Sequence, residues 1–164
     1  MQQRKNFMLR DTHKKLVAEH GAVETEFRVE IPKEIGHAYQ IGGDWHDNPG
    51  YDAAMEKQRN TASRLADLAK LLMSPVFIEN LEINGDEVRI GVNVILSYSG
   101  NETVSYDILG PADARYREGV MSCFSPLAQQ LMGHKAGEEV ICTLPKGKEK
   151  IRIIKVEKID FKDS

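Results

Sequence analysis

The repeat that most limits how this chain can fold lies between residues 49 and 73. Tyr51, Met55, Gln58, Ala62, Leu65, Ala69 and Leu72 follow one another at intervals of 4, 3, 4, 3, 4 and 3. Such a seam, held for three heptads, must face a partner helix. Asn48 and Pro49 start the helix as N-cap and first helical residue, and Ser74-Pro75 ends it. The partner is upstream in the same chain, where His20, Val23, Phe27, Ile31, Ile35, Ala38 and Ile41 form a second stripe. Folding back at residues 45–47 pairs 41 with 51, 38 with 55, 35 with 58, 31 with 62, 27 with 65, 23 with 69 and 20 with 72. The spacing therefore predicts an antiparallel helical hairpin, with a first helix from about residue 8 to 41. Its finger is roughly 35–40 Å long at about 1.5 Å per residue. Pro32 removes one helix bond, so a bend is expected there.

From residue 76 the period changes to alternation. Val88, Ile90, Val92, Val94, Leu96 and Tyr98 make one face of a long strand, and Val104, Tyr106 and Ile108 return beyond the turn at residues 99–102. Glu139–Leu144 and Lys150–Ile159 form a second strand pair around Pro145-Lys146-Gly147. Between the pairs, SPLAQQLMG reads as one short helix with Ser125 as cap, Pro126 as first residue and Gly133 as stop. The chain is thus α+β: residues 1–75 form the coiled-coil finger, and residues 76–164 an antiparallel sheet domain carrying one helix.

Composition narrows the function. A net charge of −3 gives no whole-chain footprint for nucleic acid. No run approaches the roughly 18 apolar residues of a membrane helix, and MQQRKNFMLRD has no apolar core for a signal peptide. Cys123 and Cys142 lack any metal-ligand spacing and read as two buried thiols. A cytoplasmic protein without membrane contact is expected.

The densest chemistry is GGDWHDNPGY, residues 42–51, on the turn between the helices. From composition alone it reads as a solvated acidic turn capping a helix. His46 between two Asp residues is a weak pattern for a transition-metal site, because three ligands crowd one turn. The finger's Arg28, Lys57, Arg59 and Arg64 are interspersed with Glu24, Glu26, Glu30 and Glu56, as on a solvated mixed face.

Several short motifs in order resemble the bacterial transcript-cleavage factors of the Gre family over nearly the whole chain. GDWHDNPGYDAA (43–54) is similar to that family's GD-x-x-EN-x-x-Y-x-AA. ILG (108–110), SCFSPLAQQLMG (122–133) and Gly137-Glu138 are similar to its ISxxSPLAxALLGKxxGD run, and IRIIKV (151–156) to its last strand. The resemblance implies a coiled coil followed by a domain like the FK506-binding proteins. It implies a transcription elongation factor with no stand-alone catalysis and no sequence-specific DNA recognition. Its partner would be bacterial RNA polymerase, docked through the rim helices with the finger in the secondary channel. There the tip would meet the 3′ end of backtracked RNA and stimulate the polymerase's own cleavage.

On this resemblance Asp44 and Asp47 are the catalytic acids and would hold a second Mg²⁺ shared with the polymerase active centre, with none in the free protein. Trp45, Asn48 and Tyr51 would support the tip, and Ser122, Phe124, Ser125 and Pro126 would dock. The chain departs from the family pattern at Asp47, where Glu is usual, at Pro49 and Gly50, and at Phe124, where Asp or Asn is common. These departures leave open a paralogue that occupies the channel and modulates or inhibits polymerase without stimulating cleavage. A prolyl isomerase would need an aromatic pocket with a Trp floor, and the only Trp is Trp45.

Overall fold

The computed structural model describes residues 5–41, 48–99 and 102–161. The chain forms two compact units, one of Met1–His13 with Ser74–Ser164 and one of Lys14–Met73. The expected division at residue 75 is thus close to one boundary, while the first thirteen residues belong to the globular unit. The physical reason is strand β1 (Asn6–Met8), which pairs in parallel with β2 (Pro75–Phe77).

In the globular unit a five-stranded sheet has the order β5-β4-β3-β7-β6. Its strands are β3 (Val92–Ser97), β4 (Thr103–Leu109), β5 (Val120–Ser122), β6 (Glu139–Leu144) and β7 (Gly147–Lys158). The sheet is mixed rather than purely antiparallel, because β5 runs parallel to β4. The ten-residue connection from Gly110 to Gly119 brings the chain back beside Asp107, so that β5 runs along the second half of β4 in the same direction, which a hairpin turn could not do. Alternation along β3 is as expected: Val92, Val94 and Leu96 are buried and their neighbours are half-buried. The strand is shorter than its apolar pattern. Gly91 sits at φ +88°, and Val88 instead exchanges backbone bonds with Gly133 and His134 at 2.9 and 2.8 Å. Helix α4 (Pro126–Leu131) begins as its sequence dictates, with the Ser125 hydroxyl accepting from the Ala128 N–H at 3.2 Å. It buries Ala128 and Leu131 in the core with Ile108, Ile151 and Ile153. Strand β6 is a sheet edge, and there the Gln130 amide accepts from the Thr143 N–H at 2.7 Å and donates to its carbonyl at 3.1 Å. One outward-facing peptide unit is thereby closed to pairing with another chain.

The helical unit contains α1 (Arg10–Thr25, whose first turn lies in the globular unit), a π-helical segment (Glu26–Glu30), α2 (Ile31–Ile41) and α3 (Pro49–Leu72). The π segment is how the chain accommodates Pro32. The Ile31 N–H bonds back five residues to Glu26, and the widened turn makes room where the Pro ring would strike the Arg28 carbonyl. It also absorbs a surplus residue. Val23 to Ile35 is about 3.3 turns at 3.6 residues per turn, which would swing Ile35 roughly 120° off the stripe in an unbroken α-helix. With the wider turn, Val23 and Ile31 are buried and Phe27, Ile35 and Ala38 half-buried. Ile41 is 72% exposed and leaves the stripe.

On α3 the deepest positions are Ala54, Thr61 and Leu68, one residue before the expected Met55, Ala62 and Ala69, and Ala69 is exposed. Both rows recur every seven residues, so the pattern alone does not choose between them. Contacts between the helices also correct the register. Ala38 faces Asn48 rather than Met55, Lys57 reaches Glu34 at 2.8 Å, and Arg64 reaches Glu19 at 2.9 Å. The antiparallel sense stands; the pairing is displaced toward the start of α3.

The start of α1 is capped by side chains distant in sequence. Asp113, fully buried, accepts from the Leu9 N–H at 3.0 Å and the Gly110 N–H at 2.9 Å, and also bonds Thr12. Glu79 accepts from the Arg10 N–H at 2.7 Å. Backbone crowds this point so closely that a Cβ on Gly110 would lie 1.7 Å from the Phe7 carbonyl oxygen. Burial outweighs the three hydrogen bonds and raises the Asp113 pKa above its ordinary 3.8. Its folded pKa exceeds its unfolded one, so its contribution to stability is full below about 3.8 and is lost as pH rises through the raised value. Asp113→Ala should cost about 2–4 kcal/mol in urea unfolding by stranding two buried N–H groups. Asp113→Asn should flatten this part of the stability–pH curve.

Candidate functional site: hairpin end and docking loop

Where α3 begins, one side chain joins two helix ends. The Asn48 carbonyl oxygen accepts from the Tyr51 N–H at 3.0 Å, and its amide donates to the Ala38 carbonyl at 2.9 Å. The first bond satisfies a free donor at the start of α3 and the second a free acceptor in the last turn of α2. A Cβ built on Gly50 would sit 3.8 Å from that of Ala38, so the two helices of the hairpin are close here. Tyr51 is half-buried, while Tyr39 and Ile41 on α2 are 68% and 72% exposed. Of the residues expected at the tip, Asn48 and Tyr51 are thus brought together. Asp44, Trp45, His46 and Asp47 lie outside the described residues. Among the described residues no group of three or more His, Cys, Asp or Glu side chains could hold a metal ion.

The helical surface is electrostatically mixed, as expected from sequence. Lys57 bonds Glu34 and Glu26, and Arg28 and Arg64 pair with Glu24 and Glu19. The Glu34 carboxylate, and Glu26 after it, hold the Lys57 pKa above its usual value.

The expected docking residues form one continuous loop from the end of β5 into α4. The Ser122 hydroxyl accepts from the Phe124 N–H at 3.2 Å, Ser125 caps the helix and Pro126 is its first residue. Phe124 is half-buried, its ring 6.2 Å from that of Phe7. Beside it opens a cavity of about 420 Å³ whose walls include Phe7, Leu81, Ile83 and Met132, with Lys5 and Arg89. Sequence reasoning did not find this hollow. Its walls come from β1, β2, the 78–90 connection, the loop before α4 and α4 itself, segments far apart in sequence. Cys123 lines it too, but burial pushes its thiol up to about 11. Cys142 is likewise buried with its pKa raised, so neither thiol is a nucleophile at neutral pH.

A two-helix hairpin, carried with a mixed sheet and one short helix, defines an α+β protein. Comparison with known proteins gives the family. Residues 6–75 match the N-terminal model of the GreA/GreB transcription elongation factors, and residues 83–158 match the C-terminal model. The chain is 31% identical to the transcription elongation factor GreA of Shouchella clausii over 156 residues, covering 94% of this chain and 98% of that protein. It is 34% identical to GreA of Novosphingobium aromaticivorans over 154 residues, covering 94% of each. Among solved structures, GreA factor homolog 1 of Thermus thermophilus is similar at 23% identity and a TM-score of 0.38, with 88% of this chain and 94% of that one covered. The chain belongs to the GreA/GreB family of transcription elongation factors. Among its described residues no helix is long and apolar enough to cross a membrane.

The two bonds of Asn48 can be separated experimentally. Asn48→Ala should lose both and cost about 1–2 kcal/mol. Asn48→Asp keeps the acceptor for Tyr51 but cannot donate to Ala38. Hydrogen exchange should show the Tyr51 amide still protected in the Asp variant and unprotected in the Ala variant, with stability intermediate for Asp.

Proposed function

We propose that this protein is a transcript-cleavage factor of RNA polymerase. It docks through the 122–126 loop, enters the secondary channel with its helical hairpin, and stimulates the polymerase's own hydrolysis of backtracked RNA. The observation that carries this reading is the Asn48 clamp. The side chain that follows Asp44 and Asp47 in sequence ties the start of α3 to the last turn of α2. A hairpin closed at that point gives the acidic stretch a fixed base.

The donor set suits the chemistry. Asp44 and Asp47 supply hard carboxylate oxygens of the kind Mg²⁺ prefers, and the ion commonly takes only one or two of them alongside water and phosphate. A second Mg²⁺ completed in this way stabilises the attacking and leaving oxygens of phosphodiester hydrolysis. In this reading the two carboxylates orient the attacking water, Asn48 and Tyr51 hold the base of the turn, and Trp45 packs against the channel wall or a base. The protein has no active site of its own. On the docking side, Phe124 and the hollow beside it offer an apolar surface to the rim helices, and Ser122 and Ser125 keep the loop in shape.

The test uses labelled RNA in a stalled, backtracked polymerase complex with Mg²⁺. The native protein should shorten the RNA, while Asp44→Ala and Asp47→Ala should each lower the rate by 10²-fold or more, as for loss of a group that acts only in the transition state (about 2.7 kcal/mol). Both should still compete with native protein for polymerase. Phe124→Asp should lose cleavage and competition together. Binding without cleavage by native protein and tip variants alike would make it a channel-occupying regulator instead.

A further inference from the structure

Away from the hairpin end and the docking loop, a second hollow has a lining of defined chemistry. It measures about 560 Å³ and lies between the turn end of the β3–β4 hairpin and the β6–β7 turn. Tyr98 and Tyr106 supply aromatic walls, Leu144 an apolar one, Glu102 and Glu149 two carboxylates, and Lys146 one exposed ammonium. The two phenols are hydrogen-bonded to each other. Burial first, then Tyr106 and the Glu149 charge, push the Tyr98 pKa upward, so its ring stays neutral. Three cations of β7 are paired away from the hollow: Lys150 and Arg152 with Glu139, and Lys155 with Glu157. Among the described residues neither Glu102 nor Glu149 has an ion-pair partner. The hollow therefore presents two aromatic rings and two uncompensated carboxylates against a single flexible lysine on its rim.

We propose that this hollow is a receptor for a cationic side chain, preferentially arginine, presented by a partner protein. An aromatic face beside carboxylates is the arrangement that attracts a cation both through the ring quadrupole and by direct charge. Guanidinium is favoured over ammonium because it is planar, stacks on an aromatic ring and gives up its hydration more easily. The half-buried Glu149 is the principal anion, and the exposed Glu102 closes the rim. The Tyr98–Tyr106 bond fixes the orientation of the rings before the ligand arrives. The site depends on neither the acids of the tip nor the polymerase-docking loop, so it stands or falls separately from the cleavage reading.

The test is titration of the ¹⁵N-labelled full chain with N-acetyl-arginine amide, followed by amide shifts. Saturable shifts at Tyr98, Tyr106 and Glu149 are expected, with a Kd of about 1–10 mM for so small a probe. N-acetyl-lysine amide should bind several-fold more weakly, and N-acetyl-glutamate amide should leave these amides unmoved. Glu149→Gln should weaken the arginine probe about tenfold with the rest of the spectrum unchanged. Tyr98→Phe, which keeps the ring, should retain most binding, and Tyr98→Leu should lose it. Failure of the arginine probe to saturate overturns the proposal. So would equal response to the acidic probe, which would make Lys146 the recognising group, or indifference to Glu149→Gln in a variant whose spectrum shows it folded.

Discussion

The buried carboxylate of Asp113 is the interaction on which the rest of this structure depends. It takes the Leu9 N–H with one oxygen and the Gly110 N–H with the other, and it bonds Thr12 one turn into α1. A helix normally satisfies its first N–H groups with a cap a few residues away. Here the cap comes from 104 residues downstream. The arrangement fixes where β1 ends, where α1 begins and where the chain leaves β4, all at one point. Glu79 repeats the device for Arg10, whose guanidinium also bonds Asn80 and lies 4.6 Å over the Phe77 ring. With Phe7 pressed against Gly110, the N-terminal segment becomes part of the globular core before the helical unit begins.

What could be read from the sequence follows the range of the forces involved. Ser125, Pro126 and Gly133 delimit α4 because caps and stops act within a few residues, and Val92, Val94 and Leu96 declare their face because a strand's period is local. The seam of α3 announced a helical partner for the same reason. Register did not follow, since rows 54/61/68 and 55/62/69 satisfy the same heptad; the Asn48–Ala38 bond helps to fix it, and no periodicity encodes that bond. The parallel pairs β4–β5 and β1–β2 join residues 13 and 69 positions apart (120 − 107 and 75 − 6), and they and the hollow beside Phe124 lie beyond the reach of local periodicity. Pro32 signalled a disturbance in the right place. Its form, a π turn ending at Ile31, could have been inferred from the 4, 4, 4 spacing of Val23, Phe27, Ile31 and Ile35 within a stripe whose other steps are all three residues.

Phe124 shows how a departure from the family pattern can be structural. In place of the polar residue common in the family it puts a ring against Phe7, and Phe7 belongs to the segment held by Asp113. The side chain is half in the core and half at the mouth of an apolar hollow. Its exchange of a polar loop for an aromatic one thus changes two things together. It adds apolar contact under the N-terminal strand, and it makes the exposed part of the loop more hydrophobic where a partner would meet it.

The same economy governs the hairpin end. Two helices closing on a short connection leave unpaired donors at the start of one and unpaired acceptors at the end of the other, and water is the default partner for both. Asn is the residue that can serve both at once, because its amide carries an acceptor and a donor in one plane. Asp could cap α3 but would face the Ala38 carbonyl with a second acceptor, and Ser lacks the reach to do both. Asn48 therefore does more than start a helix. It converts the last turn of α2 and the first of α3 into one hydrogen-bonded unit. In the cleavage reading proposed above, a stretch meant to present Asp44 and Asp47 to a metal ion would need that property, because each carboxylate must be placed by the backbone that bears it.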